Sequence, residues 1–353
     1  MLKLFGDWMT ERLPVGEVKA FFVKKSVPRH SRSLWYYFGG LTLIFLVVQI
    51  VTGILLTFHY VPSPEGAYES VLKIVNEVPF GWLVRSAHAW SANLMIASLF
   101  VHMFSVFLLA AYRKPRELLW VTGVGLLFVV LGFAFTGYLL PWDTVAYFAT
   151  LIGTEVPATM PIVGSWGVSL LKGSVEVGPE TLTRMYSIHT VVLPLITLFL
   201  VSVHLALNQL YGSSVPIGVT PVKRPIPFFP NFFLRDLISW CVGLVVLVVL
   251  ATMIPPGLED KADPLASAPL GIKPEWYFLP LYQSLKMVPS TIFSISGEFV
   301  VNLLVAVASA VWLGIPFLDR KSSREQKSLP FTVLGIIVIL YLVITIVMAY
   351  AGT

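Results

Sequence analysis

Hydrophobic residues occur along this chain in seven long stretches, separated by polar or proline-rich segments. Each stretch approaches or exceeds the roughly 20 residues that a helix needs to cross about 30 Å of hydrocarbon. The pattern therefore predicts an all-α, polytopic membrane protein with seven transmembrane helices. The predicted helices are 35–59, 86–111, 117–140, 184–210, 234–254, 297–318 and 331–350.

Composition supports a chain embedded in a lipid bilayer. Hydrophobic residues make up 56% of the 353 residues and charged residues only 12%, whereas charged residues form about a quarter of a typical soluble domain. The net charge of +5 does not indicate nucleic-acid binding, because the basic residues lie between the hydrophobic stretches and form no patch of their own. The single cysteine, Cys241, excludes a disulfide framework, a cysteine-ligated iron–sulfur cluster and a CxxCH haem attachment.

Positive charge is distributed unequally between the two sides of the predicted helices. An odd number of spans places the two termini on opposite sides of the membrane. Of the 24 Lys and Arg residues, 17 lie in the N-terminal segment and in the loops near 112–117, 211–235 and 319–330. Because cytoplasmic loops are enriched in Lys and Arg, we predict a cytoplasmic N-terminus and an outside C-terminus.

Two long loops on the predicted outer side are rich in Pro, Gly and aromatic residues. Short apolar stretches within them, such as Val163–Leu171, predict helices that lie along the outer surface. On the other side, a proline-rich segment at 211–233 separates the first four spans from the last three. We predict a four-helix domain at 1–212 and a three-helix domain at 213–353.

Four of the six histidines form two pairs with similar spacing. His88 and His102 are fourteen residues apart in the second stretch, and His189 and His204 are fifteen apart in the fourth. At about 100° and 1.5 Å per residue, each pair lies near one helix face, with its members roughly 21–22 Å apart. Ionisable residues are costly in lipid and mark functional sites, and imidazole is an axial haem ligand.

A single buried histidine could be no more than a satisfied polar residue, but four at matched depths predict two b-type haems. Each iron would have two histidine ligands, and neither haem would be covalently attached. Because successive spans alternate in direction, His88 pairs with His189 toward the outside, and His102 pairs with His204 toward the inside.

Glycines in the first and third stretches repeat the histidine interval. Gly39 and Gly53 are fourteen residues apart, and so are Gly123 and Gly137. We predict that they clear space for the edge of each haem, although small residues also favour ordinary helix packing in membranes. Arg85, near the outer end of the second stretch, is the predicted partner of the outer haem propionates, because guanidinium groups bind carboxylates in a bidentate manner.

Several segments of the chain carry a likeness to a known family. They are Arg85 to His102, YRKPRELLWVTGV (112–124), GYLLPWD (137–143), PIVGSWG (161–167), TLTRMYSIHTVVLPL (181–195) and PEWY (274–277). Over nearly its whole length the chain resembles the cytochrome b of cytochrome bc and b6f complexes. Residues 1–212 resemble the di-haem b6 subunit, and residues 213–353 resemble the three-helix subunit IV with its quinone-site residues. The resemblance implies a bacterial inner membrane.

The resemblance also implies a quinol-oxidation site on the outer side. There Glu275 of the PEWY motif would accept a proton, and Tyr138 and Tyr277 would line the pocket. Quinol oxidation releases two protons outward, so a carboxylate beside hydrogen-bonding aromatic residues suits the chemistry. Taken alone, Glu275 could be a surface acid, and the tyrosines could belong to an interfacial aromatic belt.

On the inner side, Arg235 and Asp236 resemble a Lys-Asp pair that serves the inner quinone site in relatives, with a charged helix cap as an equal alternative. Two positions depart from the family pattern. Tyr37 stands where many b6-type chains have a cysteine that tethers an extra haem, which argues against a covalent third haem. Gln209 stands where mitochondrial-type chains use a histidine at the inner site, which leaves the chemistry of that site open.

We therefore predict the cytochrome b subunit of a bc-type complex, a quinol:cytochrome c oxidoreductase, or one with a similar acceptor, that translocates protons by a Q cycle. The resemblance implies a Rieske iron–sulfur protein, a c-type or multihaem cytochrome, and a homodimer in the bilayer. An alternative is a di-haem membrane anchor that exchanges electrons between quinone and a periplasmic multihaem cytochrome or reductase, without a Rieske partner. A third hypothesis, a seven-helix transporter or receptor, predicts no visible absorption.

Overall fold

Seven helices of the computed structural model are long and apolar enough to cross a membrane. This number refers to the residues that the structure describes, which are 2–12, 16, 25–160, 163–216, 219–220, 224–319 and 329–352. In chain order, spans 1 to 7 are Ser33–Thr57, Gly81–Leu108, Glu117–Tyr138, Pro179–Tyr211, Phe228–Met253, Gly297–Leu318 and Leu329–Ala351. The predicted all-α fold with seven transmembrane helices is confirmed.

Several spans extend beyond their hydrophobic stretches. Span 2 begins at Gly81 and span 4 at Pro179, each five residues before the predicted start. These first turns contain polar residues, so hydrophobicity marks the part of a helix that suits hydrocarbon and misses its true end. Span 1 opens with a 3-10 turn at Ser33–Tyr36, and span 5 opens with a π-helical turn at Phe228–Phe232.

Shorter helices and two small strand pairs connect the spans. The helices are Leu2–Arg12, Ala67–Asn76, Thr144–Ala158, Val163–Lys172 and Leu279–Met287. The strand pairs are both antiparallel and join Ser26–Val27 to Ile226–Pro227 and Thr291–Ile292 to Ile295–Ser296. Asp143 caps the helix that follows it, because its carboxylate accepts a hydrogen bond of 2.9 Å from the backbone N–H of Ala146.

The first four spans form a bundle built from two helix pairs. Span 1 packs along span 2, and span 4 packs along span 3. Span 5 lies against spans 1 and 2, span 6 against span 3, and span 7 against span 2 and the helix Leu279–Met287. Buried side chains, including Phe45, Met95, Trp120 and Ile315, fill the space between these helices. The buried core therefore joins the four-span bundle to the three later spans.

The remaining surfaces of the spans expose large apolar side chains, such as Phe199, Val245 and Ile344. On a soluble protein, apolar patches of this extent would mark an interaction surface. On a bundle of seven apolar helices, they form the surface that faces lipid.

Candidate functional site

The first histidine pair, His88 and His189, joins span 2 to span 4. The centres of the two rings lie 6.4 Å apart, with the ring planes at 67°. Two metal–imidazole bonds of about 2 Å each, together with the half-width of each ring, cover a similar distance. Among the described residues, no group of three or more His, Cys, Asp or Glu side chains could hold a metal ion. The geometry therefore suits a metal that brings its other ligands with it, as haem iron does.

Threonine hydroxyls fix the ring orientation of three of the four histidines. The distances from threonine Oγ1 to histidine Nδ1 are 2.8 Å for Thr52 and His88, 3.0 Å for Thr122 and His204, and 3.1 Å for Thr136 and His189. Each hydroxyl donates its own hydrogen to the backbone carbonyl four residues earlier, so its oxygen accepts from the ring. Nδ1 then carries the proton, and Nε2 is left to bind a metal.

The second histidine pair, His102 and His204, lies nearer the amino-terminal end of span 1. Nδ1 of His204 is held by Thr122, as described above. Nδ1 of His102 is buried and has no hydrogen-bond partner among the residues that the structure describes. The two pairs therefore differ in the support that their rings receive.

The four glycines at fourteen-residue intervals lie directly against the four histidine rings. A Cβ atom built on each glycine would lie 3.1 Å from His102 for Gly39, 3.4 Å from His88 for Gly53, 3.2 Å from His204 for Gly123 and 2.6 Å from His189 for Gly137. The sequence predicted that these glycines clear the edge of the haem. In the structure they make room for the imidazoles, which explains why they repeat at the histidine interval.

Span 4 contains a π-helical turn at Ile188–Val192, which includes His189. The N–H of Leu193 bonds to the carbonyl of Ile188, five residues earlier, and Pro194 has no N–H to continue the α-helical pattern. A π-helical turn accommodates one residue more than the α-helical turn it replaces. This extra residue brings the fifteen-residue interval in span 4 into register with the fourteen-residue interval in span 2.

Spans 2 and 4 contact each other less closely than each contacts its own partner span. Each of these spans packs along its own partner, span 1 or span 3. Within the described ranges, spans 2 and 4 have no comparable contact with each other. The histidines of spans 2 and 4 therefore approach each other from two separate helix pairs.

A cavity of about 260 Å³ lies beside Glu275. It is on the same side of the membrane as the first histidine pair, because its lining includes Tyr138, which directly follows Gly137, and Gly137 lies against the His189 ring. Its lining includes Glu275 and Tyr138, together with Phe135, Phe278 and Tyr282. Most of the other lining residues are apolar and come from the helices Thr144–Ala158 and Leu279–Met287. An apolar cavity with a few convergent polar groups is the usual form of a small-molecule site.

Tyr277, the third predicted residue of this site, is not among the lining residues. Its ring packs between the rings of Trp276 and Phe278, at centre-to-centre distances of 5.4 Å and 4.9 Å. Burial raises the pKa of the Glu275 carboxyl. Burial also raises the pKa of Tyr277, and the negative charge of Glu275 adds to that effect. Tyr277 therefore lies outside the cavity lining and remains a neutral phenol.

Arg85 is engaged by the protein chain itself. Its Nη1 and Nη2 donate hydrogen bonds of 2.8 Å and 2.7 Å to the backbone carbonyls of Pro256 and Gly257. The guanidinium group thus ties the loop after span 5 to span 2. Its predicted contact with a haem propionate stays a prediction, and would have to be made by the N–H groups that these two bonds leave free.

On the amino-terminal side, Arg235 and Asp236 point to different surroundings. Arg235 lines a cavity of about 220 Å³ with Arg29, His30 and Tyr37. The Asp236 carboxylate lies against span 1, where a Cβ atom on Gly40 would be 2.6 Å from Oδ2. The structure does not bring the two side chains together as one charged pair.

The two positions that depart from the expected pattern also have defined neighbours. The Tyr37 ring stacks on the Phe232 ring at 5.2 Å between centres and 15° between planes. Gln209 accepts a hydrogen bond from the Lys25 ammonium group. This bond fastens the segment before span 1 to the end of span 4.

Comparison with known proteins gives the chain a family. The family model described as cytochrome b/b6/petB matches residues 22–212, and the model described as cytochrome b(C-terminal)/b6/petD matches residues 261–353. The chain belongs to the cytochrome b family.

Individual relatives extend this likeness over nearly the whole length of this cytochrome b. A cytochrome bc complex cytochrome b subunit from Chlorobaculum thiosulfatiphilum is 49% identical over 350 residues, which are 98% of this chain and 81% of that protein. A chain of a solved structure described as a hyperthermophilic respiratory Complex III is 29% identical, with a TM-score of 0.80. That alignment covers 98% of this chain and 96% of the other.

Membership of the cytochrome b family implies b-type haem, and the residues present fit that group. The 6.4 Å separation of His88 and His189 leaves room for one iron atom. Sequence reasoning missed the three threonines that orient the rings. A signal was present, because Thr52, Thr122 and Thr136 each come directly before one of the spaced glycines.

Proposed function

We propose that this cytochrome b is the quinol-oxidising subunit of a bc-type complex and that it holds two non-covalent b haems, each between two histidines. His88 and His189 would hold the outer haem, and His102 and His204 the inner haem. The observation that carries the proposal is the cavity with Glu275 and Tyr138, because it lies on the same side of the membrane as the first histidine pair. A quinol bound there would be close to the outer haem.

The haems, when bound, supply one-electron transfer between the two sides of the membrane. The protein's part is to hold each histidine ring in a fixed tautomer and orientation. Thr52 and Thr136 do so for the outer pair by accepting from Nδ1. A fixed ring also makes Nε2 a stronger donor to iron, because the hydrogen bond raises its basicity.

Oxidation of one quinol releases two electrons and two protons. In the proposed Q cycle, a Rieske iron–sulfur protein would accept one electron, and the haems held by His88 with His189 and by His102 with His204 would supply the path for the other to quinone on the inner side. Glu275 takes one proton from the quinol hydroxyl as its bond to hydrogen breaks. A carboxylate whose pKa is raised by burial is a better proton acceptor near neutral pH than an ordinary glutamate.

On the inner side, reduction of quinone consumes protons from the cytoplasm. Arg235 and Asp236 remain the proposed inner-site residues, with Arg235 in the better position because it lines a cavity. Tyr37 stands at the position of the tethering cysteine, which supports the proposal that no third haem is covalently attached there. The N-terminus would face the cytoplasm of a bacterium, and the inner membrane would hold the complex as a homodimer.

The experiment that tests the outer site is Glu275→Gln, measured in the assembled complex. Glutamine keeps the shape of glutamate and can still form hydrogen bonds, but it cannot accept a proton. General acid–base groups typically contribute about 10²–10⁴-fold, so quinol oxidation should slow by up to that factor. The pH profile is the sharper readout, because the parental rate should fall as pH drops through the raised pKa of Glu275. That acidic limb should disappear or move in the variant.

The matched control is Glu176→Gln, which removes an exposed carboxylate on the same side of the membrane. It should leave the rate and the pH profile unchanged, and both variants should keep two haems in their reduced-minus-oxidised spectra. A Glu275→Gln complex with the parental rate and pH profile would overturn the proposed role of Glu275. Purification of the chain with a multihaem cytochrome and without a Rieske protein would favour the membrane-anchor alternative.

A further inference from the structure

The PEWY motif is preceded by a lysine that reaches the end of the last span. Lys273 Nζ donates a hydrogen bond of 2.6 Å to the backbone carbonyl of Ala349. The same ammonium group lies 5.8 Å from the centre of the Tyr350 ring, over its face. Lys273 stands two residues before Glu275, so this contact joins the proton-accepting segment to span 7.

This contact has a physical basis in the end of a helix. The last four carbonyl groups of an α-helix have no partner within the helix, and they form the negative end of its dipole. A lysine side chain can satisfy such a carbonyl and interact favourably with the dipole. Lys273 is half-buried, so water competes less strongly for this bond than it would at a fully exposed site.

The other flank of Glu275 is fixed to the haem bundle. Trp276 Nε1 donates a hydrogen bond of 2.8 Å to Asn93 Oδ1, and Asn93 lies in span 2, five residues after His88. Beyond the motif, Ser284 of the helix Leu279–Met287 is hydrogen-bonded to Tyr341 of span 7. Glu275 therefore sits between an attachment to span 2 and attachments to span 7.

We propose that Lys273 is a positioning residue for Glu275, which holds the PEWY segment to the end of span 7 so that the carboxylate stays at the cavity wall. The inference rests on the proposed function of Glu275 in quinol oxidation. Lys273 acts through the backbone that it anchors. Its charge is not among the causes of the raised pKa of Glu275, which is due to burial.

The test compares three forms of the assembled complex: Lys273→Met, Lys273→Arg, and a chain that ends after Met348. Methionine keeps the apolar stem but loses the donor, and the shortened chain loses the Ala349 carbonyl and the Tyr350 ring. Both should lower kcat for quinol oxidation by about 10- to 100-fold, with little change in KM, because small misplacements of catalytic groups cost up to about 10²-fold. Lys273→Arg keeps a donor and should restore most of the rate.

The combination of Lys273→Met with the shortened chain is the decisive form. If both changes break the same contact, the double variant should be no slower than the slower single variant. If the double variant instead loses rate by the product of the two single losses, the two changes act independently and the proposal is overturned. A parental rate in Lys273→Met would also overturn it. Should Lys273→Met fail to keep its haems, Lys273→Gln, whose side chain is one bond shorter, takes its place, and a parental rate there overturns the proposal.

Two controls separate this inference from the function on which it rests. Lys73→Met removes an exposed lysine in the helix Ala67–Asn76, on the same side of the membrane, and should leave kcat unchanged. If Glu275→Gln slows quinol oxidation while Lys273→Met does not, only the positioning role of Lys273 is overturned. If Glu275→Gln has no effect on quinol oxidation, the proposed role of Glu275 is overturned, and the positioning role of Lys273 falls with it.

Discussion

The two histidine pairs of the bundle differ in how their rings are held. In the first pair, Nδ1 of His88 faces Thr52, and Nδ1 of His189 faces both Thr136 and the Phe133 carbonyl at 3.1 Å. In the second pair, only His204 has a threonine partner, and Nδ1 of His102 is buried without one.

The difference originates in one residue of span 1. Thr52 comes directly before Gly53, whereas Phe38 comes directly before Gly39. Phenylalanine offers no acceptor, so Gly39 makes room for the His102 ring, but no hydrogen bond from the described residues holds its Nδ1. A hydrogen bond from Nδ1 makes a histidine a stronger donor to iron, which lowers the reduction potential of the haem. We therefore expect the inner haem, held by the second pair, to have the higher reduction potential. This difference favours electron flow from the outer haem to the inner haem.

The largest effect should come from removal of a ligand. His88→Ala or His189→Ala should remove the outer haem and leave the inner haem, and His102→Ala or His204→Ala should do the reverse. Alanine cannot bind iron, and a haem with one remaining imidazole is held by half of its ligands. Reduced-minus-oxidised spectra measure the result. Full haem content in any of the four variants would refute that ligand, and loss of both haems from all four would leave the pairing unsupported.

A graded effect is expected when the glycines become alanines. On Gly137 the new Cβ would lie 2.6 Å from the His189 ring, so the ring must move, whereas on Gly53 the distance to His88 is an ordinary 3.4 Å. Overpacking typically costs about 1–3 kcal/mol, and alanine gains about 1 kcal/mol in helix propensity over glycine. Gly137→Ala should therefore weaken retention of the outer haem, while Gly53→Ala should leave its retention unchanged or strengthen it. Haem content after heating at a series of temperatures would measure this, and equal behaviour of the two variants would contradict it.

The parts of this structure that could be predicted from sequence are those set by local periodicity. Hydrophobic length fixes the seven spans, and a fourteen-residue repeat is enough to bring His88 and His102 to one face and to place glycines at matching depths. The π-helical turn at His189 had a readable signal in Pro194 and the extra residue, but its effect on register emerged only from the helix geometry. The contacts of Arg85, Asn93 and Lys273 could not be predicted, because their partners lie 76 to 183 residues away in sequence and include backbone carbonyls that have no sequence signature.

The smallest expected effect is a shift in haem potential from exchange of single threonine partners. Thr52→Val removes the acceptor for His88 with almost no change in shape, so the outer haem should become easier to reduce. A hydrogen bond contributes about 1 kcal/mol, and at 59 mV per tenfold change for one electron this limits the shift to about 40 mV. Phe38→Thr places a hydroxyl next to Gly39 and should lower the reduction potential of the inner haem by a similar amount.

Together, the two substitutions should narrow the gap between the haems, or reverse their order if the gap is small. Redox titration of the two haem absorption bands would measure both shifts in one sample. The controls are Thr42→Val, which removes a hydroxyl that bonds to Ser98 and to the Phe38 carbonyl, and the parental complex at the same pH. Potentials that stay fixed in Thr52→Val and in Phe38→Thr would show that the Nδ1 partners do not set the difference between the two pairs. The missing partner of His102 would then be a feature of packing around Phe38 with no consequence for the direction of electron flow.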